Sequence, residues 1–171
     1  MKLVQKVIAL IVMSWVVVSN AQTCNDSITP TTPDSRFSDN GDGTVTDKKT
    51  NLIWMRCSLG QTWDGSTCTS SAATYTWQQA LQAAANTTFG GSNAWQLPNI
   101  KQLSSIVEES CDGPAINLYA FPATLSDYFW TSSPYASDND NAWYVYFDYG
   151  YDNRNVKNSY HYVRLVRPDS N

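Results

Sequence analysis

Four cysteines limit how this chain can fold: Cys24, Cys57, Cys68 and Cys111. All of them follow an apolar N-terminal segment, and in an exported protein an even number of cysteines predicts disulfide bonds. Cys57 and Cys68 flank SLGQTWDGST, a glycine-rich stretch that looks like a closed loop, so we predict that they pair. Cys24 would then pair with Cys111 and attach the N-terminal segment to the body. A four-cysteine zinc site is the alternative, but the chain has no CxxC pair and a single histidine.

The first 21 residues have the parts of a secretory signal peptide. The basic start MKLVQK is followed by an apolar run over residues 7–18 and by the small residues Ser19 and Ala21. This run is shorter than the ~20 apolar residues of a membrane span, and no later segment supplies one. We therefore predict a secreted protein, or a periplasmic or outer-surface one, cleaved near Ala21. Lipidation of Cys24 is the alternative, although the preceding QT pair fits a lipobox poorly.

The remaining chain is expected to comprise an extended lead-in, residues 22–35, and one domain, residues 36–168, with one core. The whole chain carries a net charge of −4, and loss of the leader with its two lysines makes it more acidic. An acidic surface repels phosphate backbones, which argues against nucleic acid as a partner. The basic residues that could form a patch for a polyanion are Arg154, Lys157, Arg164 and Arg167.

The stretch RFSDNGDGTVTDKKTNLIWMR predicts a β-meander. Turn residues cluster at 39–43 and 47–51 and separate short alternating runs. An EF-hand calcium loop would need ligands where Ser38 and Lys49 stand, so we interpret DNGDG as a hairpin turn. One face of the meander collects Phe37, Val45, Leu52 and Trp54.

The stretch YTWQQALQAAANTT predicts the first helix. Thr76 is its expected N-cap and Gln79 the capping-box partner. The apolar stripe of this helix contains Trp77, Ala80, Leu81 and Ala84.

A second helix is predicted in PNIKQLSSIVEES, with Pro98 at its start. Its buried face would contain Ile100, Leu103, Ile106 and Val107. Its charged residues, Lys101, Glu108 and Glu109, are expected on a solvated face.

Three strand patterns follow: YFWTSSPYAS, NAWYVYFDYG and HYVRLVRP. Strands and helices occur in separate runs rather than in strict alternation, which predicts an α+β fold. Alternation in WYVYF assigns Trp143, Val145 and Phe147 to the core, so that Tyr144 and Tyr146 face the other way.

The C-terminal region also has the composition of a recognition surface, because seven of the ten tyrosines lie between residues 134 and 167, together with five asparagines. Tyrosine offers a flat ring with a polar tip, and asparagine adds adaptable hydrogen bonds. We expect the chain to leave the sheet after Phe147 and to turn at Gly150, forming a contact loop over residues 148–158. The predicted ligand-binding residues are Tyr135, Tyr149, Tyr151, Asn153, Arg154 and Asn155.

Catalytic motifs are not found. His161 is the only histidine, and GxSxG, HExxH and GxGxxG are absent from the sequence. We predict that the protein is not an enzyme and has no cofactor. Calcium near Asp138, Asp140 and Asn141 is the alternative that the sequence leaves open.

Six motifs occur in an order that resembles the Lcl C-terminal domain family: DNGDGTVTDKKTNLIWMR, TWQQAL, WQLPNIKQLSSIV, YFWTSSPY, NAWYVYF and YVRLVR. The resemblance covers residues 36–167. It implies a bacterial secreted domain, related to the formylglycine-generating-enzyme group, with a C-type lectin-like fold in which two helices flank a twisted antiparallel sheet. The chain departs from these relatives because Gln96 replaces a frequent arginine, the calcium motifs of lectins are absent, and the oxidase cysteines are missing after Cys111.

We therefore expect a binding or adhesion module that recognises a glycan or an extracellular protein surface through its Tyr- and Asn-rich C-terminal face. The glycan option follows from the resemblance to an adhesin. The alternative is a structural cell-envelope component without a specific ligand.

Overall fold

The computed structural model describes residues 21–169 of the chain. The predicted signal peptide lies outside these residues except for Ala21. Within them lie two α-helices, α1 (Trp77–Asn86) and α2 (Ile100–Ser104), and a 3-10 turn at Asp34–Arg36. The strands in chain order are β1 (Thr23–Cys24), β2 (Phe37–Asp39), β3 (Thr44–Asp47), β4 (Leu52–Met55), β5 (Thr62–Trp63), β6 (Cys68–Thr69), β7 (Cys111–Asp112), β8 (Tyr128–Pro134), β9 (Asn141–Tyr146), β10 (Tyr151–Val156) and β11 (Val166–Pro168).

In the described part of the chain, the strands form four antiparallel sheets, with the orders β11–β4–β3–β2, β10–β9–β8, β1–β7 and β5–β6. Together with the helices this is the predicted α+β architecture, but the predicted single twisted sheet is divided. The division arises because residues 160–165 do not form one strand. The carbonyl of Tyr162 accepts from the Trp130 N–H in β8 (3.0 Å), whereas the carbonyl of Leu165 accepts from the Met55 N–H in β4 (3.1 Å). This segment therefore joins the two larger sheets.

The N-terminal meander is confirmed. Strands β2, β3 and β4 pair in sequence, and their turns fall within the two predicted turn clusters. Phe37, Val45 and Trp54 are buried in one cluster, and Leu52 packs against it. The alternating pattern therefore identified the correct face.

Helix α1 begins as predicted. The Thr76 hydroxyl accepts from the Gln79 N–H, and the Gln79 side chain accepts from the Thr76 N–H, so the capping box is complete. Ala80 and Ala84 are buried, and Trp77 and Leu81 pack partly buried beside them.

Helix α2 differs from the prediction at both ends. Asn99, not Pro98, precedes the first helical residue, and its side chain caps the N–H of Gln102 at 2.9 Å. The helix ends at Ser104, yet Leu103, Ile106 and Val107 are buried as expected. The apolar spacing therefore continues into a turn that is not helical.

Glu108 is buried, so its predicted place on a solvated face is wrong. Its carboxylate accepts from the N–H groups of Thr31 (2.9 Å), Thr32 (2.7 Å) and Ser110 (3.0 Å). The hydroxyls of Thr32 (2.8 Å) and Ser110 (2.7 Å) donate to it as well. Burial alone would raise the pKa of this carboxyl, but these hydrogen bonds outweigh it and lower the pKa from 4.5 to about 2. Glu108 therefore holds residues 31 and 32 against the body.

Both predicted disulfides are confirmed, Cys24–Cys111 and Cys57–Cys68. The first lies between β1 and β7, and the side-chain amide of Gln22 donates to the carbonyls of Pro114 (2.6 Å) and Ile116 (2.7 Å) nearby. Residues 22–35 are thus attached to the body at their start by the disulfide and near their end by Glu108.

In the sheet β10–β9–β8, strands β8 and β9 are buried from both faces, whereas β10 is exposed. Val145 and Phe147 belong to the core that also contains the meander residues, whereas Ala142 and Tyr144 belong to the core beneath α1. The inward assignment of Val145 and Phe147 is confirmed. That of Trp143 is wrong, because its ring is only half-buried and packs edge-to-face on Tyr135, with 5.5 Å between the ring centroids. Alternation separates two faces but does not reveal that both are covered.

Candidate binding site

The predicted contact loop, residues 148–158, is mostly strand. After a turn at 147–150 the chain returns as β10 and pairs with β9, with Tyr151 opposite Tyr146. Gly150 allows this return at φ +75°, and a Cβ there would lie 2.6 Å from Cγ1 of Val107. The prediction that the chain leaves the sheet is therefore wrong. A polar, alternating segment suits an exposed edge strand as well as a loop.

Alternation along β10 divides the predicted ligand residues into two groups. Tyr151, Asn153 and Asn155 lie opposite Tyr146, Tyr144 and Ala142, on the face of the sheet towards α1. Arg154 lies opposite Trp143 on the other face. The six predicted residues therefore do not form one site.

Five rings form a connected cluster on the first face, termed here the tyrosine face: Tyr128, Tyr144, Tyr146, Tyr149 and Tyr151. Tyr128 and Tyr146 stack with centroids 4.4 Å apart. Tyr149 and Tyr151 each contact Tyr146 edge-to-face, at 5.8 and 5.3 Å. Tyr149 is 68% exposed and Tyr151 45% exposed, so these two form the outer layer.

Sequence reasoning missed Tyr128, Tyr144 and Tyr146 as members of this site. Their positions could be found from the strand register, because Tyr128 and Tyr151 both lie opposite Tyr146 in neighbouring strands. Register between distant strands is not visible in the local pattern.

The hydroxyl of Tyr146 is held as a neutral donor. It donates to Oδ2 of Asp148 at 3.0 Å. Burial and this nearby carboxylate raise the pKa of Tyr146 to about 12, and burial also raises the pKa of Tyr144. Tyr144 and Tyr146 are therefore uncharged at physiological pH.

His161 lies beneath this face and is itself buried. Its ring packs against Trp130, with centroids 4.3 Å apart, and against Tyr128 at 5.3 Å. Burial lowers the pKa of His161, so the ring is neutral near pH 7. Nε2 of this neutral ring accepts from the side-chain amide of Asn155 at 3.2 Å.

The two asparagines of β10 are engaged within the strand. Oδ1 of Asn153 accepts from the N–H of Arg154, and Oδ1 of Asn155 accepts from the N–H of Val156, both at 2.8 Å. Asn155 therefore uses both ends of its amide and acts as a positioning residue. Asn153 is exposed, and its hydrogen bond with the Arg154 N–H uses only its oxygen.

A second, smaller patch lies on the opposite face, termed the arginine patch: Tyr135, Trp143 and Arg154. The guanidinium of Arg154 stands over the Tyr135 ring at 4.5 Å, a cation–π arrangement. Tyr135 in turn packs against Trp143. The predicted residues Tyr135 and Arg154 therefore meet each other but not the tyrosine face.

Arg164 does not contribute to a basic surface patch, because it is fully buried. Its guanidinium donates to the carbonyls of Met55 and Arg56 and to the Thr124 hydroxyl, and it stands over the Phe121 ring at 4.8 Å. Burial lowers its pKa to about 9. The alternating pattern predicted that one face of this segment is exposed. In the structure residues 163–165 are all buried, because they join the two larger sheets.

The acidic turn considered for calcium is closed by its own hydrogen bonds. Oδ1 of Asp138 accepts from the Asp140 N–H (3.0 Å), and Oδ2 accepts from the Asn141 side chain (2.7 Å). Between residues 21 and 169, the structure brings together no group of three or more His, Cys, Asp or Glu side chains that could hold a metal ion.

The fold and the site together define a disulfide-linked α+β domain with an exposed aromatic face. The model of the Lcl C-terminal domain family matches residues 43–167. The chain therefore belongs to the Lcl C-terminal domain family. No curated protein matches it. None of the helices described between residues 21 and 169 has the length and apolarity of a membrane span.

Proposed function

We propose that this protein is an exported, non-enzymatic binding or adhesion module that recognises a glycan or an extracellular protein surface. The observation that carries the proposal is the tyrosine face. Its two exposed rings, Tyr149 and Tyr151, rest on a layer of partly buried tyrosines. Flat rings with phenol hydroxyls offer contact area and hydrogen bonds together, as recognition surfaces do.

The geometry supports binding because the outer rings are already held in place. Tyr149 and Tyr151 both pack edge-to-face on Tyr146, and Tyr146 stacks on Tyr128. A ligand that contacts the outer pair therefore orders few side chains on binding, which preserves affinity. The ring faces suit the C–H faces of a sugar, and the phenol hydroxyls and the Asn153 amide suit its hydroxyl groups.

Two buried acid–base groups of the chain, His161 and Glu108, support a non-enzymatic role. His161 is buried and its Nε2 accepts a hydrogen bond from Asn155. The carboxylate of Glu108 receives hydrogen bonds from residues 31, 32 and 110. General acid–base catalysis needs such a group within reach of a substrate, and both are engaged in holding the fold.

Charge favours an uncharged ligand. The chain is acidic overall, and Arg164 is buried, so fewer basic side chains remain for a polyanion than the sequence suggested. A neutral glycan or a polar protein surface fits the tyrosine face better than a sulfated or phosphorylated polymer does.

Export to the cell exterior and a C-type lectin-like fold are part of the same proposal. Two disulfides suit an oxidising compartment. The order of a meander, two short helices and a C-terminal sheet supports the C-type lectin-like fold that the family resemblance implied. Mass spectrometry of the secreted protein, reading its N-terminus, tests export. A mature start at Gln22 is expected, and a protein that stays in the cell with residues 1–21 still attached would contradict it.

The binding proposal is tested on an array that displays neutral glycans, anionic glycans and extracellular proteins. The mature chain is compared with Tyr149→Ala/Tyr151→Ala and with Tyr119→Ala. Tyr119 is a matched control because its ring is 53% exposed and lies outside the tyrosine face. We expect the double variant to lose about 1–2 kcal/mol of binding free energy per ring, with little loss of stability. The control variant should bind like the unchanged protein.

Three outcomes contradict this proposal. Equal binding by the double variant would place the contact elsewhere, with the arginine patch as the next surface. Unfolding of the double variant would show that the rings are part of the core. If the array shows no bound ligand, a structural role in the cell envelope becomes the better account.

A further inference from the structure

Strand β10 has an open edge. It is the outermost strand of the sheet β10–β9–β8, and no strand among residues 21–169 pairs with its other side. Residues 151–154 are exposed along it, and Val156 is 48% exposed. An open edge of six residues is either protected or used for pairing with another strand.

Two backbone N–H groups on this edge donate to side-chain oxygens of the same strand, and a second strand could supply acceptors in their place. The N–H groups of Arg154 and Val156 donate to the asparagine side chains that precede them, at 2.8 Å each. Alternate residues of an antiparallel strand direct their backbone groups to the same side, so the open edge carries the backbone groups of Asp152, Arg154 and Val156. At the Arg154 N–H, a carbonyl of an incoming strand would take the place of the Asn153 oxygen, so this N–H would keep an acceptor.

The charges on this edge are self-complementary. Asp152 and Arg154 flank Asn153 on one face of the sheet. Neither residue belongs to the ion pairs found within residues 21–169, which are Arg36–Asp47 and Arg56–Asp39. If two copies of β10 pair antiparallel about a two-fold axis at Asn153, each Asp152 lies opposite Arg154 of the other strand. Moving the axis to either neighbouring residue places two aspartates or two arginines opposite each other. Opposite charges across a strand pair are favourable and like charges unfavourable, so the charges select one register.

We propose that β10 pairs with β10 of a second copy of this chain, antiparallel and centred on Asn153, and extends the sheet across a two-fold axis. This places the tyrosine faces of both copies on the same side of the joined sheet. Each Tyr151 lies opposite Asn155 of the other copy, so the two Tyr151 are offset by about 14 Å along the strands. Two such faces on one surface would hold a repetitive ligand by avidity. The pairing itself does not depend on the proposed binding function.

Sedimentation equilibrium of the mature chain tests the pairing, at protein concentrations up to about 1 mM so that a weak dimer is populated. We expect a reversible dimer that weakens with added salt. Asp152→Arg alone places arginines opposite each other and should raise the dissociation constant about tenfold. Arg154→Asp should act in the same direction. The combined exchange, Asp152→Arg with Arg154→Asp, restores opposite charges and should restore most of the affinity.

Lys48→Glu is the matched control, because Lys48 is an exposed basic residue in the turn between β3 and β4. It should leave the dissociation constant unchanged. A chain that stays monomeric, or a higher oligomer, would overturn the proposal. A dimer that is unaffected by Asp152→Arg would do the same, as would a combined variant that is no tighter than the single ones. Circular dichroism identifies any variant that fails to fold, and Asp152→Arg carries the decision because Arg154 also contacts Tyr135.

Discussion

Replacing Glu108 with glutamine is expected to destabilise the domain by about 3 kcal/mol at neutral pH. The carboxylate holds the N-terminal segment to the body through the N–H groups of Thr31 and Thr32 and through Ser110. Glutamine keeps the size of the side chain but exchanges one acceptor oxygen for a donor group. The substitution therefore removes hydrogen bonds without creating a cavity.

Two routes give this magnitude. Hydrogen bonding lowers the pKa of Glu108 from 4.5 to about 2, and each pKa unit corresponds to about 1.4 kcal/mol, so the charged form contributes about 3 kcal/mol. The second route counts the donor left without an acceptor. In the unchanged protein the Thr32 N–H donates to Oε2 of Glu108 at 2.7 Å. If the oxygen of the glutamine takes the place of Oε1, the amide nitrogen of the glutamine takes the place of Oε2 and faces this N–H, so the N–H loses its acceptor. A buried donor without a partner costs about 1–3 kcal/mol.

The assay is urea denaturation of the mature chain at a series of pH values. The folded-state pKa of Glu108 lies below the unfolded one, so the unfolded state takes up the proton first as pH falls. The contribution is fully present above pH 4.5 and is lost as pH falls towards 2. The unchanged protein and Glu108→Gln should therefore differ most at neutral pH and converge in acid. Glu109→Gln is the control, because Glu109 is exposed and lies next in the chain.

The reasoning is refuted if Glu108→Gln costs less than about 1 kcal/mol while Glu109→Gln is neutral. In that case, the hydrogen bonds of Glu108 are no better than those it makes with water. A difference between the two proteins that stays constant from neutral pH into acid would also refute it, since the effect would not then come from the charged form.

Two further predictions concern stability. Burial lowers the pKa of His161, whose neutral ring accepts from Asn155, so the unfolded state binds a proton first and the free energy of unfolding should fall as pH drops below 6.5. In the same titration, His161→Gln should remove this pH dependence. An unchanged pH dependence would assign it to another group. The disulfide Cys24–Cys111 closes a loop with a sequence separation of 87, and Cys57–Cys68 closes one of 11. In chemical denaturation, replacing the first pair with alanine should lower the free energy of unfolding by about 4–5 kcal/mol, and replacing the second pair by about 3 kcal/mol. A larger loss for the shorter loop would contradict the chain-entropy reasoning.

Features with a local physical cause could be predicted from the sequence. The capping box of α1 depends on Thr76 and Gln79, three residues apart, and the structure confirms it. The meander follows from turn residues and alternation, and Phe37, Val45 and Trp54 are buried together as predicted. The disulfide pairing followed from one short loop and elimination.

Features that depend on distant contacts could not be predicted in this way. A glutamate at position 108 is expected on the surface, but Thr31 and Thr32, more than 70 positions away in sequence, bury it and donate to its carboxylate. Arg164 follows a strand pattern, but carbonyls of residues 55 and 56 surround its guanidinium. In both cases, a charge is buried because a distant segment supplies its hydrogen bonds.

The candidate site was predicted in composition but not in arrangement. Tyr149 and Tyr151 are exposed, as expected for contact residues. The strand β10 nevertheless places Arg154 on the opposite face from Tyr151, and Asn155 serves His161 rather than the surface. The pairing of β10 with β9 decides these orientations, and a segment of mixed polar and aromatic residues gives no local indication of it.

The central claim is that ligand contact lies on the tyrosine face, and an NMR titration tests it most directly. The mature chain, labelled with nitrogen-15, is titrated with the strongest-binding ligand from the array, and shifts of the backbone amides are mapped. We predict that the largest shifts fall at Tyr149, Gly150 and Tyr151 and at the neighbouring amides of Tyr128 and Tyr146. Largest shifts at Tyr135 and Arg154, or at any surface away from Tyr149 and Tyr151, would contradict the account.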